Sequence, residues 1–227
     1  INHLEGHLLS SSYNNEILFP HLSLLITGGH TQIYLIKNKL EMELLGETID
    51  DAVGEAFDKV AKLLGLPYPG GKIIEGRAKE GDENYFELPL PLINKDSLDF
   101  SFSGLKTAVN LIVKKNKIDN KFINNMCASF QKSVTVILSS KLDKTFKKLK
   151  KKNIILKSTS VVGGVANNKY INLKLSKISE KYASKLLFPP KEMLSDNAAM
   201  IAWACITNYN EKKSDIFFKP NSRLKIN

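Results

Sequence analysis

Two histidines near the start of the sequence, His3 and His7, have the spacing of a helical metal-binding pair. Side chains four residues apart lie on the same side of a helix, so both imidazole rings could face one metal ion. Glu5 would lie about 200° around this helix from His3 and would point away from such an ion. This geometry disfavours a metalloprotease, whose glutamate directly follows the first histidine. A pair of surface histidines without a ligand is the alternative interpretation.

Three pairs of glycines could bring backbone N–H groups close to a ligand. They occur at 28–29, 70–71 and 163–164, each beside a predicted strand or at the start of a predicted helix. Without a side chain, glycine lets the backbone approach phosphate or ribose oxygens closely. None of the pairs matches a Walker or GxGxxG pattern, and each alone is also typical of an ordinary turn. Their combination favours a nucleotide-like ligand.

Two acidic residues are further candidates. Asp196 lies between Ser195 and Asn197, directly before an apolar helical pattern, where all three residue types are typical N-caps. Asp58 lies one residue past the apolar Phe57 on the predicted helix 51–64, and could face either solvent or a ligand. Spacing alone leaves both interpretations open for each residue.

Hydrophobic periodicity predicts the elements that position these groups. Two predicted strands are joined by the first glycine turn, and a strand, a glycine turn and a helix follow later in the chain. This order predicts a mixed α/β fold. Thr48, with Asp51 three residues later, is expected to cap the helix at 51–64. The stretch 81–99 is expected to be a loop that contains at most one strand. The predicted strands are 21–27, 31–37, 158–162 and 186–188. The predicted helices are 51–64, a short helix that ends at 78, a helix that begins at 103, a long helix with its apolar stripe over 126–149, and helices at 168–181 and 195–208.

Composition limits the class of protein. The chain has 227 residues, which allows one large domain or two small ones. No apolar run approaches the roughly 18 residues that cross a bilayer, so we expect a soluble protein. The two cysteines, Cys127 and Cys205, both lie in apolar helical patterns. They build neither a disulfide framework nor a CxxC metal site, which favours a reducing, cytosolic compartment.

The formal net charge is +10, and part of the excess is concentrated in one cluster. Such a cluster is typical of a solvated helix end, where lysines complement the negative end of the helix dipole. A surface that binds phosphate is the alternative. The residues of this lysine cluster are Lys144, Lys147, Lys148, Lys150, Lys151 and Lys152.

A family resemblance is carried by six blocks in this order: HLEGH at 3–7, LLITGGHTQ at 24–32, GETIDDAVGEAFDKVAKLLGLPYPGG at 46–71, FSFSGLKTA at 100–108, VVGGVANN at 161–168 and SDNAAMIA at 195–202. Together they resemble the TsaD family of tRNA threonylcarbamoyl-adenosine transferases, once called glycoprotease-like proteins. Because the resemblance runs from one end of the chain to the other, we expect residues 1–227 to form one region of this family. By the same resemblance, the chain starts after a segment that normally precedes the HLEGH block.

The resemblance implies an actin-like or Hsp70-like ATPase fold, the ASKHA fold, in which two related α/β lobes enclose the ligand. The first lobe would be incomplete at its N-terminus. One divalent metal ion, iron or alternatively zinc, would be held by His3, His7 and Asp196. A three-ligand site of this kind leaves coordination positions open for substrate. The implied substrate-binding residues are Leu25, Ile26, Thr27, Gly28, Gly29, Asp58, Gly71, Glu75 and Asn168.

The implied activity is that of an acyltransferase that modifies tRNA. It would transfer the threonylcarbamoyl group from threonylcarbamoyl-adenylate to the exocyclic amine of the adenosine 3′ of the anticodon, without a protein nucleophile. The implied partners are tRNA, a TsaB-like non-catalytic paralogue and a TsaE-like small ATPase, in the cytoplasm and away from membranes. A basic surface suits tRNA, since cationic groups supply most of the sequence-independent affinity for phosphate.

Three alternatives remain open at the level of the sequence. A non-catalytic scaffold, analogous to the paralogue, would use the same fold for assembly only. A sugar kinase or ATPase of this fold would need a phosphate loop in the preceding segment. An inactive fragment of the same fold is the third alternative.

Overall fold

In the computed structural model, the described residues are 1–209 and 226. The strands of this part of the chain are β1 (His21–Ile26), β2 (Thr31–Asn38), β3 (Glu41–Glu47), β4 (Ser158–Val162) and β5 (Lys185–Leu187). They form one sheet with the order β3-β2-β1-β4-β5. β1, β2 and β3 are an antiparallel meander, whereas β4 pairs in parallel with β1, and β5 in parallel with β4.

Helices of the described residues cover both faces of this sheet. They are α1 (His3–Ser10), α2 (Val53–Leu63), α3 (Gly70–Ala78), α4 (Ser103–Lys115), α5 (Asn120–Lys151), α6 (Lys169–Lys181) and α7 (Ala198–Tyr209). α2 to α6 pack on one face and form the larger core, while α1 and α7 pack on the other face and form the smaller core. None of these helices is long and apolar enough to cross a bilayer.

The central strand β1 contributes to both cores. Successive side chains of a strand point to opposite faces, so Leu24 and Ile26 pack in the larger core and Leu25 packs in the smaller one. Every residue of β1 is buried, as expected for a strand with neighbours on both sides and helices on both faces. This burial fixes the position of the glycine turn that follows β1.

Most predicted elements are confirmed. The strands at 21–27, 31–37, 158–162 and 186–188 correspond to β1, β2, β4 and β5, and each predicted helix is present with bounds shifted by a few residues. Both cysteines are free, with Cys127 buried and Cys205 exposed on α7. Because the described residues hold one sheet, the two-lobed arrangement stays a prediction.

Strand β3 was not predicted from the sequence. Its apolar residues do not alternate, because Leu44 and Leu45 are adjacent, and the register against β2 shifts where they lie. A bulged strand at the edge of a sheet loses the period of two on which sequence prediction depends.

The predicted cap of α2 is wrong. The hydroxyl of Thr48 donates to the carbonyl oxygen of Asp51 at 2.7 Å, and Ala52 is the N-cap residue of the helix. The N–H of Val53 instead donates to the hydroxyl of Thr31 in β2, at 2.8 Å. A side chain from a neighbouring strand therefore replaces the local cap.

The stretch 81–99 contains no strand, and lysines of α5 bind some of its carbonyl groups. The ammonium group of Lys141 donates to the carbonyl oxygens of Leu92 at 2.8 Å and Ser97 at 2.7 Å. Burial of the side chain lowers the pKa of Lys141. These bonds hold the loop against the helix without a β-ladder.

A buried polar group joins β1 to β4 on the face of the smaller core. His21 Nδ1 lies 2.8 Å from the hydroxyl of Ser158, and His21 Nε2 lies 2.8 Å from the hydroxyl of Ser160. The hydroxyl of Ser160 also donates to that of Ser23 at 2.9 Å. Burial lowers the pKa of His21 to about 3, so the ring is neutral in the folded protein near neutral pH.

His21 therefore makes the folding free energy depend on pH. Because its pKa is lowered on folding, its contribution is complete above about pH 6.5 and is lost as the pH falls towards the folded-state pKa. Between about pH 7 and about pH 5, we expect the free energy of unfolding of the wild type to fall by about 2 kcal/mol more than that of His21→Gln. Urea unfolding of both proteins across this range measures the difference. Equal losses in the two proteins would contradict the assignment.

Candidate functional site

A cavity of about 750 Å³ opens where β1 and β4 end. Because these two strands are parallel, the turns that follow them meet at one edge of the sheet, where ligands of α/β proteins commonly bind. Gly28 follows β1 and Gly164 follows β4, and both line the cavity. The starts of three helices contribute to the lining, with Gly54 of α2, Gly71 of α3 and Lys169 of α6.

The turn after β1 is held by its own backbone and one hydroxyl group. The Oγ1 atom of Thr27 accepts from the N–H of His30 at 2.8 Å and from that of Gly29 at 3.2 Å. The N–H of Thr27 donates to the carbonyl oxygen of His30 at 2.8 Å. The amide of Gly29 is thus engaged within the turn, and Gly28 is the glycine of this pair that faces the cavity.

Gly54 was missed in the sequence analysis, although it controls how closely α2 approaches this turn. A Cβ atom at Gly54 would lie 2.7 Å from the carbonyl oxygen of Thr27 and 2.9 Å from the Cα atom of Gly28. Both are backbone atoms that cannot move aside easily. The N–H of Gly54 donates to the same carbonyl oxygen at 3.1 Å. The available signal was a glycine near the start of the predicted helix 51–64.

The implied ligand residues Leu25 and Ile26 lie away from the cavity. Both side chains are fully buried, Leu25 in the smaller core and Ile26 in the larger one. Their backbone groups lie in a strand that pairs on both sides. They position Thr27 and Gly28, rather than offering side chains to a ligand.

Three other implied residues hold helix starts at the wall of the cavity. Asp58 accepts the N–H of Gly70 at 2.7 Å, and Glu75 accepts the N–H of Lys169 at 2.8 Å. The side-chain oxygen of Asn168 accepts the N–H of Ile171 at 3.0 Å, which caps α6. Its amide group donates to the side-chain oxygen of Gln131 at 2.8 Å. All three side chains line the cavity as well.

Helix α1 carries the histidine pair. The side-chain oxygen of Asn2 accepts the N–H of Leu4 at 2.8 Å, and Glu5 completes a capping box with the backbone N–H of Asn2. Glu5 therefore fixes the start of the helix. Its role agrees with the expectation that this glutamate does not serve metalloprotease chemistry.

His3, His7 and Asp196 converge at the edge of the sheet beside the cavity. His7 Nε2 lies 2.9 Å from one carboxylate oxygen of Asp196, and His3 Nε2 lies 3.6 Å from the other. The ligand atoms of the three side chains all lie within 4.8 Å of one another. Ser195, directly before Asp196, lines the cavity. The cavity and the His-His-Asp group therefore share one border.

Close packing of α1 on α7 makes this convergence possible. A Cβ atom at Gly6, between the two histidines, would lie 2.8 Å from Cδ1 of Ile201. The indole N–H of Trp203 in α7 donates to the hydroxyl of Ser12, just after α1, at 2.9 Å. The side-chain oxygen of Asn197 accepts the N–H of Met200 at 2.8 Å, so Asn197 caps α7 and Asp196 is left for the histidines.

The donor set of this group suits a metal ion. Ligand atoms at about 2.0–2.2 Å from one ion lie about 3–4 Å apart. The two distances to Asp196, 2.9 Å from His7 and 3.6 Å from His3, are close to this range, and the three ligand atoms lie within 4.8 Å of one another. Burial lowers the pKa of His7, against the opposing effect of Asp196, and this favours the neutral ring that a metal requires. Among the described residues, the buried Nδ1 atom of His7 has no hydrogen-bond partner, so the ring makes its polar contact through Nε2.

His30 is a second residue that the sequence analysis did not single out. Side chains at every second position of β2 share one face, and His30 continues the row of Gln32 and Tyr34 towards the His-His-Asp group. Burial lowers the pKa of His30, and the nearby His3 lowers it further. His30 therefore lies near His3 and Asp196, and its lowered pKa favours the neutral ring.

The lysine cluster divides into two groups. Lys144 and Lys148 donate to carbonyl oxygens of the loop 91–99, and Lys147 pairs with Asp143 at 2.6 Å. These lysines act within the fold, which the sequence could not reveal. The remaining members, Lys150, Lys151 and Lys152, are exposed at the end of α5. Lys151 and Lys152 also line a second cavity of about 590 Å³.

Comparison with known proteins connects this site to one family. Residues 1–203 match the family described as TsaD: tRNA N6-adenosine threonylcarbamoyltransferase. The protein of that name from Rickettsia rickettsii (strain Sheila Smith) is 45% identical over 230 residues, which cover 100% of this chain and 67% of the relative. Its namesake from Thermosipho africanus (strain TCF52B) is 47% identical over 232 residues, covering 100% of this chain and 68% of the relative.

A solved structure shares the fold. Full-length HypF, in a form described as phosphate- and nucleotide-bound, aligns with 94% of this chain and 36% of its own at a TM-score of 0.63 and 14% identity. This likeness confirms the expected actin-like ATPase type of fold, and it supports nothing about activity. The sequence identity of 45% over the whole chain is stronger evidence of relationship than this likeness of fold. It shows that the chain belongs to the TsaD family, the tRNA N6-adenosine threonylcarbamoyltransferases.

Proposed function

We propose that the chain transfers the threonylcarbamoyl group from threonylcarbamoyl-adenylate to the exocyclic amine of the adenosine 3′ of the anticodon in tRNA. The observation that carries the proposal is the shared border of the cavity and the His-His-Asp group at Ser195 and Asp196. This border would keep the nucleotide part of the donor in the cavity and its carbamoyl group at His3 and His7. Family membership supports the same reaction.

The proposed reaction depends on positioning. The adenylate would lie against the backbone at Gly28 and Gly71, with Asp58 and Asn168 orienting it from the wall. The amine nitrogen forms a bond to the carbamoyl carbon, the bond from this carbon to the phosphate oxygen breaks, and AMP leaves with the electron pair. The amine proton passes to solvent. A divalent ion on the three ligands would supply a Lewis acid that polarises an oxygen of the donor.

Further parts of the proposal rest on the family resemblance. We propose iron as the metal ion, with zinc as the alternative, because the two imidazoles and one carboxylate suit either. A TsaB-like paralogue and a TsaE-like small ATPase are the proposed protein partners, and the cytoplasm, where tRNA occurs, is the proposed location. A scaffold without catalysis would not need His3, His7 and Asp196 to converge, so we favour the enzyme.

The metal site can be tested without measuring catalysis. Elemental analysis of the purified chain is expected to find close to one metal ion per chain, falling to nearly none in Asp196→Ala. Asp196 is exposed, so its loss is not expected to unfold the protein. Glu192→Ala, an exposed acid four residues earlier, is the matched control and is expected to keep the metal. Equal metal content in wild type and Asp196→Ala would refute the assigned ligands.

The role of Asp58 predicts a separate effect on the donor. Asp58→Ala removes the acceptor of the Gly70 N–H and is expected to weaken binding of the adenylate by about tenfold or more. Metal content is expected to stay unchanged, since Asp58 is not among the metal ligands. Asp58→Asn keeps an acceptor and is expected to lose less. Direct binding titrations with the three proteins give the comparison, and an unaltered donor affinity in Asp58→Ala would refute the assignment.

The exposed lysines at the end of α5 are proposed to contact tRNA phosphates. Replacing Lys150, Lys151 and Lys152 by glutamine is expected to weaken tRNA binding and to flatten its salt dependence, by about 0.9 in the log–log slope for each duplex phosphate that a lysine no longer neutralises. The matched control replaces Lys114, Lys115 and Lys117, which are exposed at and after the end of α4. Filter binding over a range of salt concentrations measures both slopes. Equal slopes in the two triple variants would show that only net charge matters.

A further inference from the structure

Three lysines line the main cavity: Lys72, Lys169 and Lys191. Within residues 1–209, none of their ammonium groups is in an ion pair. The carboxylates of Asp58 and Glu75, on the same wall, already accept backbone N–H groups. Positive side-chain charge therefore exceeds negative charge in the cavity, which suits an anionic ligand.

The chemistry of the proposed donor determines where its anionic group must lie. In an adenylate, one oxygen atom joins the phosphorus to the carbamoyl carbon, so the phosphate is a direct neighbour of the reacting group. If the reacting group lies at His3, His7 and Asp196, the phosphate occupies the end of the cavity nearest to them. Ser195 lines that end.

Lys191 belongs to the same short segment as Ser195. The segment is anchored, because the N–H of Met193 donates to the carbonyl oxygen of Pro190 at 2.9 Å and the side chains of Met193 and Leu194 are buried. Lys191 lies five residues before Asp196 in this anchored segment, and it is exposed and lines the cavity.

The other two lysines belong to a different part of the wall. Lys72 lies three residues before Glu75 on α3, and the backbone N–H of Lys169 donates to the carboxylate of Glu75. Both lysines are thus close in the chain or in the fold to the carboxylate of Glu75, whereas the acids in the segment of Lys191, Glu192 and Asp196, are not among the residues that line the cavity.

We propose that Lys191 binds the phosphate of the adenylate donor and of the AMP product. This inference rests on the proposed function, and it names the residue that binds the leaving group of the proposed reaction. An ammonium group donates charge-assisted hydrogen bonds to phosphate oxygens. When the carbon–oxygen bond breaks, the electron pair stays on the phosphate oxygen, and Lys191 offsets the charge that develops there.

Binding of AMP and adenosine to the purified chain tests this assignment, since the two ligands differ only in the phosphate. Wild type is expected to bind AMP more tightly than adenosine. Lys191→Met is expected to bind AMP about tenfold or more weakly, with adenosine affinity unchanged, because one charge-assisted hydrogen bond is lost. Lys191→Arg keeps the charge and is expected to recover much of the preference. Lys177→Met, which removes an exposed lysine further along α6, is the matched control and is expected to behave as wild type.

The outcomes separate this assignment from the proposed function. An unchanged ratio of AMP to adenosine affinity in Lys191→Met would overturn it, and so would a ratio that falls only when Lys72 and Lys169 are both replaced by methionine. Normal transfer to tRNA together with an unchanged ratio would overturn the role of Lys191 alone. A Lys191-dependent ratio in a chain that transfers no threonylcarbamoyl group would support the phosphate site and refute the proposed function.

Discussion

The parallel pairing of β1 with β4 is the contact on which the site depends. It joins residues 137 positions apart, such as His21 and Ser158, and brings the two following glycine turns to one edge of the sheet. Without it, Gly28 and Gly164 would not line one cavity. The buried histidine and its serine partners stabilise the same pair of strands, so part of the pairing is polar and sensitive to pH.

Close backbone approach is the second constraint. Gly54 lets the start of α2 lie against the turn after β1, and Gly6 lets α1 lie against α7. One contact shapes the cavity and the other brings Asp196 to the histidines. A Cβ atom at Gly54 would meet backbone atoms closer than 3 Å, so packing rather than local conformation requires a glycine there. A Cβ atom at Gly6 would meet the end of the Ile201 side chain at 2.8 Å, which can shift.

The charged side chains of the site have different roles. The carboxylates of Asp58 and Glu75, in the cavity wall, accept backbone N–H groups at helix starts. Their negative charge is therefore partly offset by hydrogen bonds within the fold. The lysines of the wall have no ion-pair partner among residues 1–209, and Asp196 is the acid that faces imidazoles. The same division applies to the lysine cluster, where Lys144 and Lys148 hold a loop and the last three lysines face solvent.

The sequence alone determined most of the elements and the family, because periodic apolar patterns and ordered motif blocks are local properties of the chain. It also determined the histidine spacing, since His3 and His7 lie one helical turn apart. It could not decide that Asn197 rather than Asp196 caps α7, that Thr31 caps α2, or that Leu25 and Ile26 face the cores. Each of these depends on which distant residue is the neighbour. Only the tertiary structure brings such neighbours together, because the residues that make these contacts lie far apart in the sequence.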